Sequence, residues 1–384
     1  MVTRKAVIVH RTRHAVSRRR RTVTTLKAST RYQRVPCHAG LVQRLDVTDL
    51  VDGAARLDLG ADGTVDRPVA AVDLDRADWS LAPRAVQALG TQHHKILVGV
   101  ASSPLPPAAR GLTKALAFTV APGGPGRSWI DAGSTGDAVL EQVGSVVANA
   151  PLAALTLIDV LDVTSSCSVE RGLVAESLAY STLLAGPEFG QWRATTPRRE
   201  VPTGDSPVVV TREGAVLQVV LNRPARHNAF GHEVRNGLLE ALEVARLDDS
   251  IARVELSGAG PSFCSGGDLD EFGTTPDVAT AHVVRLAASA GLAVHRLRDV
   301  VRPVLHGACI GAGIEVPAFA SRVRARPGTS FALPETGFGL VPGAGGTVSV
   351  TRRIGRWRTA WLALTGYRLG LDRALAWGLV DELV

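Results

Sequence analysis

Two places in this chain run an apolar strand into a glycine-bearing turn and on towards a helix. In the first, Arg253 to Ser257 has strand character, and a turn-rich stretch, Gly258 to Gly267, ends in Phe263-Cys264-Ser265-Gly266-Gly267-Asp268. In the second, Val304-Leu305-His306 passes Gly307 and reaches Gly311-Ala312-Gly313-Ile314-Glu315. Repeated strand–turn–helix units demand an α/β layered architecture. The first N–H groups of each helix have no intrahelical acceptor, and glycine at the turn lets a ligand come close to them.

The same alternation extends over most of the chain. Val69 to Leu74, Ile96 to Val100 and Ala115 to Ala121 read as strands, and Pro83 to Leu89 as a short helix. Ala138 to Asn149, Ala153 to Val163 and Gly172 to Leu184 have helical spacing. Further on, Val208 to Thr211 and Val216 to Leu221 flank Glu213-Gly214 as a β-hairpin, and Gly231 to Leu247 carries an apolar helical stripe. Asp268 is expected to start a helix. Thr280 to Leu297 reads as one longer helix, Ser330 to Ala332 as a strand, and Leu371 to Trp377 as the last helix. Gly345-Gly346-Thr347 caps a helix to Ile354 that Arg356 to Thr365 continues.

Charge divides the chain. The net charge is +7, yet residues 1–44 hold twelve Arg or Lys and no acid, which leaves the rest mildly acidic. Residues 1–40 are expected to be a basic disordered extension, because they lack a periodic apolar face. No aromatic platform accompanies their arginines, so nucleic-acid binding is disfavoured. Residues 193–206 are polar, Pro-bearing and without pattern, and are expected to link a first domain, 41–192, to a second, 207–384. No apolar run looks long enough for a membrane span. The four cysteines (Cys37, Cys167, Cys264, Cys309) are scattered, which argues against a disulfide framework or a metal site and for a reducing, cytoplasmic setting. An internal echo joins the halves: Val69 to Arg76 with Val216 to Arg223, Lys95 to Ser102 with Ala252 to Gly258, and Ala148 to Val163 with Ala288 to Val304. The first copy has no counterpart of the glutamate motifs and reads as degenerate.

The candidate chemistry lies between Phe263 and Gly346. The N–H groups of Gly267 and Ala312 are candidates for a two-donor oxyanion hole. Glu315 sits in the first turn of its helix, where a carboxylate merely complementing the dipole is common. Glu335 follows Pro334 among Phe331, Leu333, Phe338 and Leu340, where a carboxylate is costly unless paired or protonated, although a surface loop position would also suit it. If the two converge, one can stay ionised while the other keeps a proton.

These residues carry a family resemblance. Leu221-Asn222-Arg223-Pro224 through Asn228-Ala229-Phe230 resembles the opening signature of the crotonase superfamily of enoyl-CoA hydratases and isomerases. So do the Phe-x-x-Gly-x-Asp loop, the Gly-x-Gly-x-Glu turn, Pro334-Glu335 with Gly339 to Thr347, and Gly378-Leu379-Val380-Asp381, over about residues 207–384. The resemblance implies a spiral of repeated ββα units, preceded here by a degenerate crotonase-like α/β domain. It implies an acyl-CoA thioester substrate, so that CoA belongs to the substrate and no separate cofactor or metal is needed. It makes Gly267 and Ala312 the oxyanion donors, Glu315 and Glu335 the catalytic acids, and Ser265, Asp268, Gly311 and Gly343 contacts to the CoA ester. Keeping both glutamates favours hydration of a 2-enoyl-CoA. Isomerisation or other enolate chemistry is the alternative, and a catalytically silent scaffold a further one. Family members continue into C-terminal helices that cover the acyl site and build a trimer. Residues 173–192 look like such a helix placed ahead of the catalytic unit, and are expected to lend that cover from within the chain.

Overall fold

Val69–Asp73 is Val-Ala-Ala-Val-Asp, without polar alternation, and a strand of that kind needs cover on both faces. The computed structural model describes residues 42–90, 94–123, 126–133, 135–199 and 206–384; the basic extension and residues 200–205 of the linker lie outside them. In it, Val69–Asp73 is second in a five-stranded sheet ordered Gln43–Leu45, Val69–Asp73, Ile96–Val100, Phe118–Val120 and Trp129–Ile130, with all neighbours parallel. Ala70, Val72 and Leu97 face a cluster with Leu50, Leu89 and Leu116. Val69, Ala71, Ile96 and Val98 face the other way, into a larger core with Val143 and Leu157 from the helices Gly136–Asn149 and Pro151–Ser166.

That larger core continues without a break through Leu217, Leu256, Leu305, Val348 and Trp361. The second half holds a six-stranded sheet ordered Glu382–Leu383, Arg324–Ala325, Val301–Leu305, Arg253–Gly258, Val216–Leu221 and Val208–Glu213. Only the 208–221 hairpin pairs antiparallel. A smaller sheet joins Ala308–Ile310, Ser330–Ala332 and Leu369–Gly370. The chain passes from one sheet to the other at Gly307, whose φ is +58° and where a Cβ would stand 2.2 Å from the Pro261 carbonyl oxygen; no other residue fits there. Val301–Leu305, Ala308–Ile310 and the helix Ala312–Glu315 make one ββα pass. Arg324–Ala325, Ser330–Ala332 and the helix Gly346–Ile354 make the next.

Several local expectations are corrected. Asp268 starts no helix; turns follow it, although its carboxylate accepts the Asp270 N–H at 3.2 Å. The helix expected over 280–297 is two, Val278–Ala287 and Ala290–Arg296. Ser289 caps the second through Leu292 N–H at 3.2 Å. Together, Val278–Arg296 is long and apolar enough for a membrane span by length and composition, contrary to the sequence reading. Here it lies against Val169–Leu184 and His232–Leu247. Arg356–Thr365 does not continue Gly346–Ile354, since Gly355 at φ +89° cannot be helical.

The third internal echo holds only in part: Pro151–Ser166 stays helical where its counterpart leaves the helix Ala290–Arg296 for the strand Val301–Leu305. The first two fall on adjacent parallel strands in both sheets.

Candidate active site

Phe263 and Cys264 pair with the small sheet: Phe263 N–H donates to His306 O at 2.8 Å, and Ile310 N–H to Cys264 O at 3.1 Å. The next residues pair the other way, with Phe230 N–H donating to Gly266 O at 2.8 Å and Asp268 N–H to Phe230 O at 3.2 Å. Backbone groups alternate sides along an extended chain, so the Gly267 N–H is turned away from Phe230. Ala312 is the first helical residue after Gly311, and its N–H is one of the helix's orphan donors. Among the described residues neither N–H has a backbone acceptor. Gly267 and Ala312 line one cavity of about 460 Å³.

Two glycines set this spacing. A Cβ on Gly313 would stand 2.2 Å from the Cys264 carbonyl oxygen, so glycine alone lets the second turn close on the first. A Cβ on Gly267 would strike the Phe272 ring at 2.6 Å.

The glutamates converge. Gly311 is at φ +49°, and the place its Cβ would take lies 2.3 Å from Glu335 Oε1 and 3.5 Å from Glu315 Oε1. Both carboxyls are buried and line the cavity that holds the two N–H groups. Ala344 and Gly346 N–H each donate to Glu315 Oε2 at 2.8 Å. Burial pushes Glu315 up to about 7, against the pull of those donors. Glu335 Oε2 is buried without a hydrogen-bond partner. Burial first, then the charge of Glu315, hold Glu335 well above the usual carboxylate range.

The remaining candidates divide. Asp268 and Gly343 line the cavity. Asp268 is also the clamp of the loop, accepting from Arg223 at 3.3 Å and Arg226 at 2.8 Å with no exposed side-chain surface. Arg226 also pairs with Asp270. Asp268 Oδ1 also accepts the Asp270 N–H, which closes a turn and not a helix. Ser265 is exposed and donates its N–H to His227 O at 2.9 Å, away from the cavity wall. Gly311 is the floor under the two carboxyls. Asn228, in the left-handed region at φ +53°, accepts from Arg223 N–H and donates to the Ala259 and Ser262 carbonyls, which fixes the approach to the first turn.

The cover comes from Val169–Leu184, whose Leu173, Glu176, Tyr180 and Leu184 face the cavity at helical spacing. Tyr180 lies so close over Gly343 that a Cβ there would be 2.3 Å from its ring. Glu176 is a further buried carboxylate on the cavity, which sequence reasoning did not assign to the site although its helix was legible. It accepts from Gly345 N–H at 2.7 Å, and from Thr347 N–H at 2.9 Å and Thr347 Oγ1 at 2.7 Å.

The motif for the enoyl-CoA hydratase/isomerase family matches residues 211–384. A 1,2-epoxyphenylacetyl-CoA isomerase of Escherichia coli (strain K12) is 34% identical over 180 residues, 45% of this chain and 67% of the relative. A 2,3-dehydroadipyl-CoA hydratase of the same organism is 32% identical over 181 residues, 46% of this chain and 69% of the relative. An enoyl-CoA hydratase structure from Thermoplasma volcanium GSS1 is 30% identical with a TM-score of 0.44, covering 47% of this chain and 72% of that one. The chain belongs to the enoyl-CoA hydratase/isomerase family, within the crotonase superfamily.

Proposed function

We propose that the protein adds water across the double bond of a 2-enoyl-CoA thioester to give a 3-hydroxyacyl-CoA. The observation that carries this reading is the approach of Glu315 Oε1 and Glu335 Oε1 to one point above Gly311, in the cavity that the Gly267 and Ala312 N–H groups line. The thioester oxygen accepts from those two N–H groups, which stabilise it as it becomes an enolate oxygen. A water held between the carboxyls attacks C3. Glu315, whose charge two backbone donors favour, takes the water's proton. The C2–C3 π pair becomes the enolate, and Glu335, kept protonated by burial, delivers its proton to C2. A proton then passes from Glu315 to Glu335 to restore the pair. Phe230, Phe272 and Val284 supply apolar wall for the acyl chain.

The test is loss of the conjugated enoyl-thioester absorbance with crotonyl-CoA and longer 2-enoyl-CoAs, with the 3-hydroxyacyl product identified by mass. Absence of hydration at every chain length, with acyl-CoA bound, rejects the reading. A second reading, double-bond or ring isomerisation, draws support from the isomerase among the relatives. It predicts a product of unchanged mass.

A further inference from the structure

The stretch Ala344 to Thr347 presents four consecutive backbone N–H groups, and two carboxylates share them alternately. Ala344 and Gly346 donate to Glu315; Gly345 and Thr347 donate to Glu176. Neither glutamate can therefore move, or change charge, without the other feeling it through one short segment. The segment opens the nine-residue helix Gly346–Ile354, whose N-terminal partial charge favours an anion but serves both carboxyls at once. Glu176 is 1% exposed, so its charge is poorly screened. It stands 139 residues before Glu315, outside the 211–384 family match.

We propose that Glu176 is a positioning residue of the active site, which holds the 344–347 segment against Glu315 and by its charge sets how the proton is divided between Glu315 and Glu335. The proposal rests on the hydratase reading for its catalytic consequence. The titratable groups that face Glu176 are few. Glu315 and Glu335 come from the two glutamate loops, Tyr180 from its own helix and Arg285 from Val278–Ala287. The Arg285 guanidinium lies 4.4 Å from the centre of the Tyr180 ring and donates to Ser177 and Ser181. His282, on the same helix, meets Ser177 Oγ at 2.9 Å. Pro151–Ser166 presents Thr164, which donates to Thr347 O at 2.7 Å. Arg352 and Arg353 sit at the far end of Gly346–Ile354. Burial, then the Glu315 charge, push Glu176 up to about 8, while its three donors pull it down. Its negative charge in turn raises Glu335. Removing that charge makes Glu335 easier to ionise.

The experiment is a titration of the full chain carrying ¹³C at the glutamate δ-carbons, read by NMR, alongside the pH profile of kcat/KM with crotonyl-CoA. In the wild type, Glu176, Glu315 and Glu335 should all titrate above the ordinary glutamate range. In Glu176→Gln, the Glu335 titration and the alkaline limb of the profile should move acidward by about one pH unit. Glu176→Asp, which keeps the charge, should recover most of that shift. A fall in turnover with an unmoved alkaline limb and an unmoved Glu335 titration would overturn the proposal, since a helix cap alone predicts that outcome. If Glu176→Gln does not fold, the wild-type titration decides: a Glu176 carboxyl in the ordinary range overturns it. If the wild type hydrates no enoyl-CoA, the hydratase reading fails, while the titrations still judge Glu176.

Discussion

The chain contains two sheets in which a pair of adjacent parallel strands echoes in sequence, and only the second leads into the candidate site. In the first, Val69–Asp73 beside Ile96–Val100 is sealed on both faces by apolar clusters. In the second, Val216–Leu221 beside Arg253–Gly258 continues into a segment that crosses to a small sheet and leaves Gly267 N–H facing a cavity. The strands are alike; the exits from them differ. Gly99, inside the first sheet, is held by Thr119, Leu116 and Leu74 within 3.0 Å of where its Cβ would be, so its glycine serves packing. Gly313 serves the approach of one glycine turn to the other. A parallel strand pair is a support, and function depends on what its C-terminal ends present.

The sharpest test of that contrast is Glu335→Gln. It keeps volume and removes the acid, and hydration should fall about 10²–10⁴-fold in steady-state assays with acyl-CoA binding retained. Glu315→Gln should do likewise, and the double variant should lose far less than the product of the two, because the pair acts as a unit. Equal activity in either variant would remove the catalytic half's claim to the chemistry.

Ala312→Pro should cost on the order of 10²-fold in turnover. Proline suits the first position of a helix, so the change deletes the N–H with little strain. Unchanged turnover in a folded variant would discard Ala312 as an oxyanion donor.

Gly99→Ala should do the reverse, destabilising by about 1–3 kcal/mol through overpacking while leaving kcat of the folded fraction alone. Chemical denaturation and assay below the transition separate the two. A drop in kcat would show that the first sheet also shapes the site.

The smallest expected effect is a drift of stability with pH. Glu176 and Glu315 have folded-state values near 8 and 7, raised from 4.5. For raised carboxyls, the stabilising contribution is complete below the unfolded value and is lost as pH rises through the folded one. Melting temperature should therefore decline between about pH 5 and pH 8, and Glu176→Gln should flatten that decline. An equal slope in both proteins would contradict the burial-driven shifts.

Much of the site was legible. The order of the glycine turns and both glutamates, with an apolar setting for Glu335, could be read directly, since each is a local pattern. Asp268 misled because an acid after glycine also suits a helix start, while its true partners, Arg223 and Arg226, lie more than forty residues earlier. The 280–297 helix misled because its apolar spacing runs straight through Ser289. The break accompanies a tight contact, where a Cβ on Gly291 would lie 2.5 Å from the Phe319 ring.

The sequence by itself determined most of the local geometry: which runs are strands, where glycine must turn the chain and where the two glutamates fall in relation to those turns. Those follow from sterics and hydrogen bonding within a few residues. The tertiary structure alone decided that Glu315 and Glu335 meet above Gly311, that a helix from the first half roofs them, and that Glu176 joins them at Gly345 and Thr347. Charge interactions follow distance and burial in space, and residues far apart in the chain become neighbours only once the core has closed.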